Sequence, residues 1–181
     1  MTIFLVDGHA IAYRSYYAFI RNPLTNSRGE NTSAVYGFVR VVLRLMEKYA
    51  PDRLVVVFDS EEETERHQHY EQYKANRVAM PDDMRPQIPI IKDLLVAMGL
   101  PVLSAPGYEA DDIIATIALK AAGDGFDVRI VSSDKDLFQL LGDRVRMIRP
   151  SKGNDLENEI GPEYLRERFG LTPAQIVDLL S

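Results

Sequence analysis

The sequence contains no cysteine and no tryptophan, and only three histidines among 181 residues. Without cysteine, the chain can form no disulfide bond and offers no thiolate nucleophile, which suits the cytosol. The histidines His9, His67 and His69 do not form a pair at ligand spacing with a third partner, which argues against a zinc site. No apolar run approaches the roughly 18 residues that cross a bilayer. We therefore expect a cytoplasmic protein whose chemistry depends on other side chains.

The charge balance is acidic, with 27 Asp and Glu against 21 Lys and Arg and a formal net charge of −6. Nonspecific nucleic-acid binding relies on basic groups that neutralise phosphates, so this charge has the wrong sign for a protein that simply coats nucleic acid. The hydrophobic fraction of 46% is ordinary for a globular domain. The positions of the acidic residues are therefore the informative feature.

Strand and helix patterns alternate along the chain. Ser33 is expected to cap the first helix, on which an apolar stripe would contain Val35, Phe38, Val39, Val42, Leu43 and Met46. Apolar runs indicate strands at 3–7, 54–59, 101–105 and 127–133, and helical patterns occupy 34–49, 86–98 and 107–123. Such repeated units predict an α/β fold with a mostly parallel central sheet and helices on both faces. The charged residues 60–85 would protrude from it, and 151–161 would form a polar hairpin or loop.

Acidic residues follow three of these predicted strands. Asp7 and Asp59 each end a strand, and Asp134 and Asp136 come directly after another. Because the carboxyl ends of parallel strands face one crevice, these carboxylates are expected to lie along the same edge of the sheet.

A second acidic group, in GYEADDIIAT, contributes Glu109, Asp111 and Asp112. Positions 109 and 111 would point about 200° apart inside a helix, so both can face one point only if Glu109 lies at or before the helix N-terminus. Acids in a first turn often only complement the helix dipole. Together with the acids at the strand ends, however, they would create a concentration of negative charge that divalent cations could offset. Oxygen ligands alone favour Mg²⁺ or Mn²⁺.

Five motifs, in this order and spacing, give the sequence a family resemblance: VDGHAIAYR, VVVFD, YKANR, GYEADDIIAT and SSDKDLFQLL. The chain resembles the N-terminal 5′-nuclease domain of bacterial DNA polymerase I, in the flap-endonuclease superfamily with a PIN-like, resolvase-like fold. The resemblance implies a 5′-3′ exonuclease or flap endonuclease that uses two Mg²⁺ ions, with Mn²⁺ as a substitute. Its partners would be DNA with a 5′ flap, nick or free 5′ end, in the bacterial nucleoid, and a following polymerase domain.

The same resemblance implies roles for particular residues. Asp7, Asp59, Glu109 and Asp111 would serve the first metal, and Asp111, Asp134 and Asp136 the second, with Asp112 acting through water. Residues 1–161 would be the catalytic domain, with a helical arch at about 60–85. Residues 162–181 would begin a helical DNA-binding subdomain, truncated here, so that the isolated chain is expected to have low activity.

The arch segment carries a basic and aromatic stripe. Tyr70, Tyr73, Lys74 and Arg77 follow the i, i+3, i+4, i+7 spacing of one helical face. The resemblance implies that Lys74 and Arg77 engage the scissile phosphate, whereas the tyrosines either anchor a helix or stack on a base of the DNA strand. Arg14 is a weaker candidate for a phosphate contact.

Two other functions are also compatible with the acidic cluster. A PIN-type ribonuclease would cut RNA, and a non-catalytic interaction domain would bind a partner without cutting. A haloacid-dehalogenase-like phosphatase would need a second Asp two residues after Asp7, where the chain has His9.

Overall fold

The computed structural model describes residues 1–60, 79–150 and 156–176. This part of the chain contains six strands, five α-helices and two short 3₁₀ helices, at Asp136–Leu140 and Pro173–Gln175. The strands are β1 Thr2–Asp7, β2 Arg53–Val57, β3 Val102–Leu103, β4 Asp127–Val131, β5 Val145–Pro150 and β6 Leu156–Ile160. The helices are α1 Gly8–Ala18, α2 Ser33–Tyr49, α3 Gln87–Ala97, α4 Ala110–Gly123 and α5 Pro162–Phe169. None of the described helices is long and apolar enough to cross a membrane.

The six strands form one sheet in the order β3-β2-β1-β4-β5-β6. The first five are parallel, and β6 pairs with β5 in the antiparallel direction. The prediction of an α/β fold with a mostly parallel sheet is therefore confirmed. Helix α1 and strand β5 were not predicted, and the predicted polar hairpin or loop contains β6 in its second half.

Hydrophobic cores on both faces of the sheet hold the helices in place. The core on one face joins the sheet to α1, α2 and α3, and its fully buried members include Val6, Phe38, Phe58 and Ile91. The other joins it to α4, α5 and the first 3₁₀ helix, with buried members that include Leu5, Ile114, Ile130, Phe138 and Leu165. Successive strand residues point to opposite faces, so neighbours such as Leu5 and Val6 serve different cores.

The first predicted helix forms, but its buried face and its cap differ from the prediction. Val41 and Leu45 are buried on α2, whereas Leu43 and Met46 are exposed. Ser33 is the first helical residue, and its hydroxyl accepts a hydrogen bond from the Leu24 N–H at 3.0 Å rather than capping the helix. The carbonyl oxygen of the buried Gln87 side chain instead accepts from the N–H groups of Ala34 and Val35, at 2.9 and 3.2 Å.

Most of the predicted arch, residues 61–78, lies outside the described residues. The turn that follows it packs against the body of the domain through Met84, which is fully buried. Asp83 in the same turn accepts hydrogen bonds from the Tyr16 hydroxyl at 2.7 Å and from the Asn31 side-chain amide at 2.8 Å. Asp83 and Met84 therefore hold the residues before α3 against the body of the domain.

Candidate active site

The acids at the strand ends lie along one edge of the sheet. Asp7 is the last residue of β1 and pairs with Val57 of β2, so Asp59 comes two residues beyond that level on the neighbouring strand. On the other side, Val6 pairs with Val131 of β4, and Asp134 follows three residues later. The parallel register thus brings the carboxyl ends of three adjacent strands, each with its acid, to the same crevice.

Asp7 is the most enclosed of these acids, at 9% exposure. One carboxylate oxygen accepts the Ala10 N–H at 3.0 Å and so caps α1, and the other accepts the Ser132 hydroxyl at 2.8 Å. Burial raises the pKa of Asp7 above its ordinary value, against the lowering effect of both hydrogen bonds. The nearby negative charges of Asp59 and Asp134 raise this pKa further. A cation at this edge would favour the charged form of Asp7.

Asp59 is held from two sides. Its Oδ1 accepts the Ala110 N–H at 2.7 Å, which joins the end of β2 to the first turn of α4. Its Oδ2 lies 3.0 Å from Nδ1 of His9, and that nitrogen also lies 3.3 Å from the backbone N–H of Asp59. The His9 ring packs edge-on against Phe58, with centroids 5.3 Å apart. These contacts fix the carboxylate between α1 and α4.

The acids of GYEADDIIAT lie at the N-terminus of α4, as helix geometry requires if Glu109 and Asp111 are to face one point. Glu109 is the N-cap residue with an extended backbone, and it is 4% exposed. Asp111 and Asp112 occupy the first turn, where the Asp112 N–H donates to the Asp111 carboxylate at 2.8 Å. The Asp59–Ala110 hydrogen bond brings this helix terminus to the same edge as the strand acids.

The segment after β4 is ordered by a chain of short polar contacts. The fully buried Ser132 hydroxyl accepts the Asp134 N–H at 3.0 Å while it donates to Asp7. The Asp134 carboxylate then accepts the Asp136 N–H at 3.0 Å at the start of the 3₁₀ helix. Ser132 therefore connects Asp7 directly to the backbone that carries Asp134 and Asp136.

Within the described residues, no three carboxylate or imidazole groups come close enough together to hold a metal ion as they stand. Like charges repel, and the Asp7 and Asp59 carboxylates are each engaged by N–H, hydroxyl or imidazole groups. The donor set along the edge consists of carboxylate oxygens, which fits a hard divalent cation. The assignment of these acids as metal ligands stays a prediction.

The predicted phosphate-binding residues are less well placed. Tyr70, Tyr73, Lys74 and Arg77 lie outside the described residues, so their roles also stay predictions. Arg14 lies on α1 and is partly exposed, about two turns after the cap residue Asp7.

Two residues of this edge, His9 and Ser132, were not among the predicted site residues. The sequence argued only against His9 as part of a zinc site, whereas in the structure His9 contacts the carboxylate of Asp59. In the sequence, the only indication of a role for Ser132 was its position beside the acids of SSDKD. In the fold, Ser132 follows β4 directly and lies level with Asp7 of the adjacent strand β1. Both contacts depend on strand neighbours that a single sequence does not specify.

Comparison with known proteins identifies the family. The model of the 5′-3′ exonuclease N-terminal resolvase-like domain matches residues 2–170. The chain belongs to this family. Its relatives include DNA polymerase I of Deinococcus radiodurans, 46% identical over 177 residues, which cover 98% of this chain and 18% of that protein. The 5′-3′ exonuclease of Aquifex aeolicus is 42% identical over 180 residues, which cover 99% of this chain and 60% of that protein.

Solved structures of 5′-nucleases share the fold. The bacteriophage T5 5′-exonuclease with bound zinc superposes with a TM-score of 0.70 at 21% identity, covering 99% of this chain and 65% of that one. At this identity the likeness concerns the fold alone. The chain spans about a fifth of the length of the DNA polymerase I relatives, as the 18% coverage of the Deinococcus protein shows.

Proposed function

We propose that this chain is a divalent-metal-dependent 5′-nuclease that hydrolyses phosphodiester bonds near the 5′ end of DNA in replication and repair. Its substrates would be DNA with a 5′ flap, a nick or a free 5′ end, in the cytoplasm at the nucleoid. The observation that carries the proposal is the row of acids at the carboxyl edge of the sheet, in a chain of the 5′-3′ exonuclease family.

The acids would hold the metal in two groups. Asp7, Asp59, Glu109 and Asp111 would serve one Mg²⁺ ion, and Asp111 with Asp134 and Asp136 a second, with Asp112 acting through water. When bound, two such cations can activate the attacking water and stabilise the leaving oxygen. The hydrogen bonds from Ala110 to Asp59 and from Ser132 to Asp7 would keep these carboxylates oriented before metal arrives.

Basic residues would act on the substrate phosphate. Lys74 and Arg77 would contact the scissile phosphate and stabilise the charge that develops during cleavage. Tyr70 and Tyr73 would stack on a base or anchor the arch, and Arg14 would contact a neighbouring phosphate.

For domain organisation, we propose a catalytic domain at 1–161 and the start of a helical DNA-binding part at 162–181. Within that second part, Leu165 of α5 is fully buried in the second core, which would couple it to the sheet. In a longer protein, a polymerase domain would follow, as the DNA polymerase I relatives suggest.

The experiment uses a labelled 5′-flap DNA with excess protein, in Mg²⁺, Mn²⁺ or EDTA. We expect weak metal-dependent cleavage by this chain. In a longer chain that includes the rest of the DNA-binding part, Lys74→Ala is expected to slow cleavage by about 100-fold or more, because a positive group aimed at the transferring phosphate acts mainly in the transition state. Lys120→Ala is the control, since Lys120 lies in the last turn of α4, far along the helix from its acidic terminus. DNA binding without cleavage in either metal would instead indicate an interaction domain, and cleavage of RNA alone a PIN-type ribonuclease.

Metal binding can be tested independently of cleavage by thermal unfolding. At a free concentration 100 times the dissociation constant, a ligand stabilises the native state by about 2.7 kcal/mol. For a domain of this size, that corresponds to a rise in melting temperature of roughly 5–11 °C. NaCl at equal ionic strength is the control. An unchanged melting temperature in millimolar Mg²⁺ and Mn²⁺ would contradict the metal assignment.

A further inference from the structure

A groove of about 760 Å³ lies beside the acidic edge. Asp59 and His9 form one side of it, and the first turn of α3 with the residues before it forms the other. This volume falls within the usual range of about 300–1,000 Å³ for pockets that bind small organic ligands. Any phosphodiester that reaches Asp59 therefore has a neighbouring cavity large enough for an adjoining group.

One wall of the groove is apolar. Met80, Pro86, Ile88 and Pro89 line it, and the two prolines are exposed. An aliphatic surface of this kind can cover the face of a nucleobase without selecting among bases, because every base presents a π-face.

Two cationic side chains also line the groove. Arg85 is exposed at the turn before α3, and Lys92 is half-buried on α3. The Lys92 ammonium lies 5.3 Å from the centroid of the Phe58 ring, and Phe58 is fully buried directly before Asp59. The lysine stem is thus covered by protein while its charge is held near the acidic edge. Positive charge at this position would offset the repulsion between the acids and a polyanionic strand.

We propose that this groove binds one nucleotide of the DNA strand next to the phosphodiester being cut. The base lies against Met80, Pro86 and Pro89, and its phosphate contacts Lys92 and Arg85. An apolar wall combined with cations matches a nucleotide, whereas a bare metal ion would not use the wall and an apolar ligand would not use the cations. This assignment rests on the proposed nuclease function and concerns the strand that the acidic edge would cut.

The test measures binding of the chain to a fluorescently labelled single-stranded oligonucleotide in EDTA, where metal-dependent cleavage cannot occur. Lys92→Gln is expected to weaken binding by about 5–10-fold at low salt. The slope of log K against log salt should become shallower by about 0.7, the value for each phosphate that a protein neutralises on single-stranded DNA. Lys48→Gln is the matched control, because the Lys48 ammonium also lies over an aromatic ring, 5.0 Å from the Tyr49 centroid, but at the far end of α2.

A second pair of variants tests the apolar wall. Pro89→Glu places a negative charge in the groove, and Ile90→Glu places one on the adjacent exposed position that does not line it. Both lie in the first turn of α3, where an acid favours the helix dipole, so both should fold. Pro89→Glu is expected to weaken oligonucleotide binding at least 5-fold more than Ile90→Glu.

Flap cleavage by the same proteins in Mn²⁺ separates this assignment from the nuclease proposal. Weaker binding by Lys92→Gln and Pro89→Glu, with unaltered binding by both controls, supports the groove even if the wild-type chain cuts nothing. Equal effects of Lys92→Gln and Lys48→Gln would indicate general electrostatic attraction and would overturn it. Binding by Lys92→Gln at the wild-type affinity would also overturn it, whether or not the chain is a nuclease.

Discussion

Ser132→Ala is the substitution that tests most directly how the acidic edge is held together. Ser132 is fully buried, and its hydroxyl donates to the Asp7 carboxylate at 2.8 Å and accepts the Asp134 N–H at 3.0 Å. The alanine variant cannot form either bond, and the buried Asp7 carboxylate cannot turn to water freely. Ser132 is therefore expected to stabilise the domain as well as to orient two of the proposed metal ligands.

The magnitude follows from the two hydrogen bonds that the substitution removes. A hydrogen bond to a charged group contributes about 1.5–3 kcal/mol and a neutral one about 0.5–1.5 kcal/mol. We expect the free energy of unfolding to fall by about 3 kcal/mol, which is near the middle of the summed range. In a domain of this size the melting temperature would fall by roughly 6–12 °C. Urea unfolding followed by circular dichroism gives the free energy, and a thermal scan gives the temperature.

Ser15→Ala provides the control for this measurement. Ser15 is also buried, at 1% exposure, but its hydroxyl has no hydrogen-bond partner among the described residues. Removal of an unpaired buried hydroxyl should leave stability within about 0.5 kcal/mol of wild type or raise it. If Ser132→Ala proved as mild as Ser15→Ala, the bridging role of Ser132 between Asp7 and Asp134 would be refuted.

Two further predictions concern the packing around the site. Tyr16→Phe should cost about 1–2 kcal/mol at neutral pH, because the Tyr16 hydroxyl donates to Asp83, whereas Tyr17→Phe on the exposed neighbouring ring should cost little. That hydrogen bond raises the pKa of Tyr16 from 10.0 to about 12. The difference in the free energy of unfolding between wild type and Tyr16→Phe should therefore persist below pH 10 and disappear as pH rises through 12. A stability difference that does not change at alkaline pH would contradict this prediction. Gly37→Ala should cost about 1–3 kcal/mol in a urea titration, because its Cβ would come within 2.7 Å of a side-chain carbon on α1. Gly123→Ala, where a Cβ would meet nothing within 4 Å, should be neutral or stabilising, and equal costs at both glycines would refute the close packing of α1 on α2.

Local sequence patterns were sufficient to predict the framework of the site. The apolar run at 54–59 predicted a strand, and β2 occupies Arg53–Val57. The angular separation of positions 109 and 111 placed Glu109 at or before a helix N-terminus, and Glu109 is the N-cap of α4. These features depend on residues adjacent in the chain, such as turns, caps and strand ends, so the sequence alone contains the information.

Tertiary contacts decided which faces and partners those elements use. Helix α2 carries apolar residues on two sides, and packing against α1 and the sheet buries Val41 and Leu45 while Leu43 stays exposed. Its N-terminus is capped by Gln87, 53 residues from Ala34 in sequence, so the local cap signal at Ser33 was misleading.

The same holds within the site. The placement of acids at strand ends was determined by the sequence itself, through the boundaries of the apolar runs. The contacts of His9 with Asp59 and of Ser132 with Asp7 arise only because β2 and β4 both lie beside β1. Strand order is a property of the assembled sheet, because burial of both faces and short crossovers select it after the individual strands are specified. The sequence thus determined the residues at this edge, and the fold determined which of them touch.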